Sequence, residues 1–273
     1  MKPRILFILH LPPPVHGASL MGSFVKASQK VNDNFDGKFM NLTASRSIDS
    51  IGKGGWRKSL FIFSLLLNTF KSVATKSYDV CYVTITSNGT AFYKDMLVVA
   101  ILKLFRKKIL LHFHNKGVEK GTQEKKINRH LYQFVLGGKR TRVILLSEHL
   151  YADIKRYVDP SRIYYCANGI KPLSITLPVK TPGQPVKILF LSNMMVAKGV
   201  YVLLEACAAL HQQNISFECH FVGDWLDIQE SEFVRKVKEL NLEGSVFAHG
   251  KKYDAEKNEY YRQADIFVFP TLN

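Results

Sequence analysis

Lys198 stands between a strand-like run and a helix-like run, a setting in which a lysine can meet a phosphate. Val186–Leu191 is apolar, of strand length and rich in β-formers. Residues 192–198 are polar at both ends, and residues 199–210 place Val202, Leu203, Ala206 and Leu210 at helical spacing. A helix starting at Gly199 turns its unpaired N–H groups and the positive end of its dipole toward that loop. An ordinary strand–helix corner with a surface lysine has the same spacing, so spacing alone does not separate the two.

His114 is the second candidate. Residues 108–113 read as a strand that delivers His114 and Asn115 to its C-terminal end, where open parallel sheets bind ligands. His112 lies two residues earlier on the same face and reads as a hydrogen-bonded core residue, so His114 is the one placed to touch a ligand. A third candidate is the loop after the first strand, Arg4–Leu9. Three prolines exclude helix from His10 to His16, and Gly17 then opens one with Ala18, Met21, Phe24 and Val25 on one face. Glycine at that entry lets the backbone approach a ligand closely. Neither this loop nor Gly52-Lys53-Gly54-Gly55 has the spacing of a dinucleotide or ATP phosphate loop.

These residues need elements to hold them, and the elements alternate. Apolar strand-length runs and helical periods follow one another along the chain, which predicts an α/β protein with parallel sheets. Helices are expected over 60–70, 90–105, 124–136, 147–158 (Ser147 as N-cap), 230–240 and 256–262. Residues 171–185 hold four prolines and a glycine with no period, so they read as a linker between domains at 1–170 and 186–273. The first domain supplies about six strands and the second four. The last run, 265–269, reads as a buried strand lacking its crossover helix, so the second domain is expected to be incomplete.

Charge divides the halves. Residues 1–170 hold 27 Lys and Arg against 10 Asp and Glu, a net +17, while the remainder is at −1. The excess points to an anionic partner for the first half. Residues 60–70 (LFIFSLLLNTF) are apolar nearly all round, which suits a buried or a membrane-facing helix. With the cluster Lys103, Arg106, Lys107 and Lys108, they predict contact with an anionic membrane surface. No zinc-finger, RNP-type or helix-turn-helix pattern supports nucleic acid as the partner. Four widely spaced cysteines in apolar segments (Cys81, Cys166, Cys207, Cys219) predict buried thiols, and no run of spanning length or signal peptide is read, so the expected location is cytoplasmic.

Taken together, the segments resemble the family 4 retaining glycosyltransferases of the GT-B fold. The resemblance is carried in order by Pro12-Pro13-Pro14-Val15-His16-Gly17-Ala18, His114, Asn168-Gly169-Ile170, Lys198-Gly199, Val222-Gly223-Asp224, His249-Gly250 and the run from Ala264 to Thr271. It implies two Rossmann-like domains with a sugar nucleotide between them. Lys198 and Gly199 would face the diphosphate, with Asn193, Gly223 and Gly250 also on the donor side. Gly17, with His16 and Ala18, would approach from the first domain, and His114 would contact the transferred sugar. No cofactor or metal is then expected. The acceptor would be a glycan or lipid-linked saccharide at the inner face of the cytoplasmic membrane, with the protein peripheral there.

Two departures stand against the family pattern. Ser192-Asn193-Met194 replaces an expected arginine, and the acidic donor motif expected after Thr271 is missing, so the chain reads as a fragment of a longer enzyme or the product of a truncated gene. A non-catalytic remnant that binds acceptor or membrane is the competing reading.

Overall fold

Long apolar runs such as RILFIL suit strands covered on both faces, and every strand pair in the computed structural model is parallel. The structure describes residues 1–13, 15–43, 56–170 and 183–272. Pro14, the Gly52-Lys53-Gly54-Gly55 run, and the linker up to residue 182 lie outside the described residues. Two units divide the chain, Met1–Ile170 and Lys171–Asn273.

Unit 1 runs β1 (Arg4–Leu9), α1 (Gly17–Ala27), α2 (Gln29–Asn34), β2 (Asp36–Asn41), α3 (Trp56–Thr75), β3 (Val80–Ile85), α4 (Gly89–Leu104), β4 (Ile109–Phe113), α5 (Val118–Glu124), α6 (Lys126–Leu136), β5 (Thr141–Leu145), α7 (Tyr151–Ile154) and β6 (Ile163–Tyr165). Its sheet order is β2-β1-β3-β4-β5-β6, so the winding reverses between β1 and β3. Leu6, Ile8, Val83, Leu111 and Val143 pack with Phe92, Val99, Tyr132 and Val135 from the helices.

Unit 2 runs β7 (Val186–Leu191), α8 (Val200–Gln212), β8 (Phe217–Val222), α9 (Glu230–Glu239), β9 (Val246–Ala248), α10 (Asp254–Gln263) and β10 (Ile266–Phe267). Its order is β10-β7-β8-β9, with the reversal between β7 and β10. Its core joins Phe190 and Phe221 to Val200, Leu203, Leu204 and Phe233.

Several expectations are corrected. The helix read over 124–136 breaks at Lys125, whose extended backbone separates α5 from α6. Ser147 makes no side-chain cap, and the helix read to residue 158 ends at Ile154. There Asp153 instead accepts the N–H groups of Gly117, Val118 and Glu119, capping α5 from outside. The inward face of α8 is Val200, Leu203, Leu204 and Cys207, and Val202 is exposed. β10 is exposed and not buried. Cys166 is exposed, unlike the other three thiols. Lys103 does not serve its own helix or a surface cluster. Its ammonium donates to the Phe134 and Gly137 carbonyls (2.7 Å to the latter), closing α6, and burial pulls its pKa down to about 8.

A buried ion pair lies where the ends of β2 and β3 meet α4. The Lys94 ammonium donates to Asp95 and to the Leu42 carbonyl (2.9 Å), while Asp95 Oδ2 accepts the Thr86 N–H at 2.8 Å. Removing one partner of such a pair strands a buried charge. Lys94→Met is therefore expected to lower the stability of unit 1 by about 3–5 kcal/mol, read from urea unfolding.

Candidate functional site

Four imidazoles gather at the C-terminal rim of the unit 1 sheet. His10 follows β1 directly, its N–H donating to Thr84 Oγ1 at 2.9 Å and its Nδ1 lying 3.5 Å from Thr43 Oγ1. His16 is the N-cap of α1. Its Nδ1 accepts the Ser19 N–H at 3.4 Å while the Ser19 hydroxyl accepts the His16 N–H at 2.9 Å, a reciprocal capping box. The His10 and His16 rings are 5.9 Å apart. The His112 and His114 rings are 4.1 Å apart and tilted by 35° at the end of β4, with His112 the deeper of the two.

The two β4 histidines are held differently. His112 Nδ1 is 2.5 Å from the Tyr82 hydroxyl, and its Nε2 is buried with no hydrogen-bond partner among the described residues. His114 Nδ1 is 3.1 Å from Asn168 Oδ1. A carboxamide oxygen accepts, so Nδ1 of His114 carries the proton and Nε2 keeps a lone pair for an incoming hydroxyl. This ties together two segments, His114 and Asn168-Gly169-Ile170, that are 54 residues apart in the chain.

All four rings are pushed toward the neutral form. Burial lowers His10 to about 4 and His112 to about 3, and it lowers His16 and His114 as well, against the Asn168 hydrogen bond in the last case. Neutral imidazoles both donate and accept, which suits the hydroxyls of an uncharged polyol.

On the α1 side, the fully buried positions are Ser19 and Gly22, while Ala18, Met21, Phe24 and Val25 are half-buried. Gly22 is compelled by packing, since a Cβ there would lie 2.0 Å from the His10 carbonyl oxygen. Gly17 is exposed, a Cβ on it would meet nothing within 4 Å, and Ala18 is half-buried beside it. The fold itself therefore makes no demand for glycine at 17.

In unit 2 the loop after β7 lies at the winding reversal. Val196–Lys198 forms a 3-10 turn, Gly199 follows with φ +79°, and α8 begins. A Cβ on Gly199 would lie 2.0 Å from the Pro270 carbonyl oxygen, on the segment that leaves β10. That segment holds the turn, the Leu272 N–H and the Thr271 hydroxyl donating to the Ala197 carbonyl at 3.0 and 3.2 Å. Lys198 Nζ sits 5.6 Å from the centroid of the Phe269 ring, and among the described residues no carboxylate is within ion-pair distance of it. Gly223 packs its Cα against the Ser192 carbonyl, where a Cβ would fall at 1.7 Å, and donates its N–H to the Gly250 carbonyl at 2.9 Å. Gly250 has φ +64° and open space around it. Asn193 is half-buried in the same loop, whose Val196 N–H is accepted by Asp227 at 3.2 Å.

Sequence reasoning missed His10, Tyr82, the Lys94–Asp95 pair and the clasp by residues 269–272. His10 stood in plain view at the end of β1. The clasp depends on strand order, which no local pattern carries.

The fold these elements define is two Rossmann-like parallel sheets, the arrangement of GT-B glycosyltransferases. Residues 185–273 match the family model described as Glycosyl transferases group 1. Over 105 residues the chain is 33% identical to the amylovoran biosynthesis glycosyltransferase AmsK of Erwinia amylovora, covering 38% of this chain and 25% of that protein. The matched segment thus spans about a quarter of that relative's length. Among solved structures, a glycosyltransferase from Rickettsia africae is similar at TM-score 0.67 and 18% identity, covering 100% of this chain and 74% of that one. Anabaena HepE in complex with UDP is similar at TM-score 0.67 and 16% identity, covering 100% and 75%.

Gly199→Ala is expected to lower the thermal midpoint of unit 2 clearly, because a left-handed backbone costs a side chain about 1–2 kcal/mol before the clash with Pro270 is added. Gly17→Ala should leave the midpoint unchanged, and calorimetry on both variants checks the contrast.

The buried histidines set a pH dependence. Between pH about 4 and 6.5 the unfolded chain protonates His10 and His112 while the folded chain does not. Stability should fall as pH drops through that window, by up to about 1.4 kcal/mol per pH unit for each ring. Urea midpoints at a series of pH values should show a slope that His112→Asn makes shallower by about one proton.

Proposed function

We propose that this chain acts as a glycosyltransferase that moves a sugar, with retention of anomeric configuration, from a nucleotide sugar to a glycan or lipid-linked acceptor in polysaccharide biosynthesis, at the cytoplasmic face of a membrane. The observation that carries the reading is the Lys198–Gly199 turn, at the winding reversal of a parallel sheet and inside the segment that matches the group 1 family. Ligands of open α/β sheets bind at that position. UDP in HepE, and AmsK's role in amylovoran biosynthesis, support a nucleotide-sugar donor and a glycan product.

The roles follow from the geometry of each unit. Lys198, with no carboxylate within ion-pair distance among the described residues, and the N-terminus of α8 take the diphosphate and stabilise the charge that grows on it as the sugar departs. No metal or cofactor is invoked for that charge. His114, its Nδ1–H directed to Asn168, turns Nε2 toward a hydroxyl of the transferred sugar. Gly17 leaves room for close backbone approach to the donor.

Isothermal titration with UDP tests the donor role. Wild-type chain should bind, and Lys198→Ala should weaken binding by about 1.5–3 kcal/mol, the range for hydrogen bonds to charged groups. His114→Ala should leave UDP affinity near normal while lowering the rate of sugar transfer from UDP-sugar by on the order of 100-fold. A wild-type chain that binds no UDP would favour the non-catalytic reading.

A further inference from the structure

Helix α3 carries apolar residues on two faces and only one is covered: Phe61 and Leu66 pack against the core, while a second apolar stripe faces outward. It turns Leu65, Thr69, Ser72 and Val73 inward, and the two hydroxyls are satisfied by the Leu65 and Asn68 carbonyls one turn back, at 2.8 and 2.7 Å. Trp56, Leu60, Phe63, Leu67 and Phe70 stand outward, each between 42% and 69% exposed. Their spacing alternates four and three residues, so they form one stripe along about 21 Å of helix. The stripe continues at its C-terminal end into Phe105, whose ring meets Phe70 edge-on at 5.2 Å, and α4 leaves Leu97 and Leu104 exposed as well. A contiguous apolar face of this kind on a folded unit marks an interaction surface.

The charges around the stripe select the partner. Helix α3 contains no acidic residue. Arg57 and Lys58 lie in its first turn, where cations oppose the helix dipole, so helix stability does not account for them. Lys71 is exposed at the other end, and Arg106, Lys107 and Lys108 follow Phe105. A second copy of this chain would bring another unit of net +17 against this one and would be repelled. An apolar stripe flanked at both ends by cations matches a bilayer interface rich in anionic lipid, where side chains enter the acyl boundary and cations meet headgroups.

We propose that α3 is the membrane-docking element of unit 1, lying in the plane of an anionic bilayer with Leu60, Phe63 and Leu67 inserted. The inference deepens the proposed function by naming the surface through which the protein would reach a lipid-linked acceptor. Lys103, committed to the end of α6, has no part in it.

The test uses sedimentation of this chain with phosphatidylcholine vesicles, with and without phosphatidylglycerol, in the absence of nucleotide. Wild type should bind the anionic vesicles, shift Trp56 emission to the blue, and bind less as salt is raised. Leu60→Gln combined with Phe63→Gln, at positions already exposed, should keep the thermal midpoint and any UDP affinity while weakening vesicle binding about tenfold or more. The proposal is overturned if the double variant binds vesicles as wild type does. It is equally overturned if neutral and anionic vesicles bind alike, or if analytical ultracentrifugation shows a wild-type dimer that the double variant abolishes. Because no nucleotide is present, absent UDP binding counts against the donor role alone.

Discussion

In a parallel sheet every strand enters at one edge and leaves at the other, so all the loops that follow strands collect along a single rim. Both sheets here obey that constraint without exception among the described residues. The chemistry-bearing side chains sit on those rims because the topology leaves them nowhere else. In unit 1 the rim collects His10 and His16 from the loop after β1 and His114 from the loop after β4. In unit 2 it stacks the exits of β7, β8 and β9 so closely that Gly223 touches the Ser192 carbonyl.

The same crowding separates two kinds of glycine. At Gly199 and Gly223 the backbone of a neighbouring loop occupies the space a side chain would need, so the fold is sufficient reason for the residue. At Gly17 no such neighbour exists. A glycine that packing does not require is where a ligand's demand on the backbone is most simply placed. Lys198 presents a parallel case among charges: among the described residues its partner is an aromatic ring and not a carboxylate.

Strands and their order in the chain were legible because buried parallel strands are continuous apolar runs, as RILFIL and VKILFL show. The Lys198 corner and the strand-end position of His114 were legible for the same reason. What could not be read locally was anything set by a neighbour distant in sequence. The Pro270 contact on Gly199 spans 71 residues and exists only because β10 pairs with β7. The orientation of α3 was equally hidden, since Thr69 and Ser72 count as polar in any periodic reading. Their hydroxyls return to the helix's own backbone and so can be buried beside Leu65 and Val73, while Leu60, Phe63 and Leu67 are left outward.

The exposure of Cys166 has a practical side. Cys81, Cys207 and Cys219 are buried, and burial raises the Cys81 thiol to about 12, so they are closed to aqueous alkylating reagents. A maleimide fluorophore or spin label added to the native protein therefore modifies one position without any engineering. That position lies two residues before Asn168, the partner of His114, and a reporter attached there would register events at the unit 1 rim while leaving both histidine contacts chemically intact.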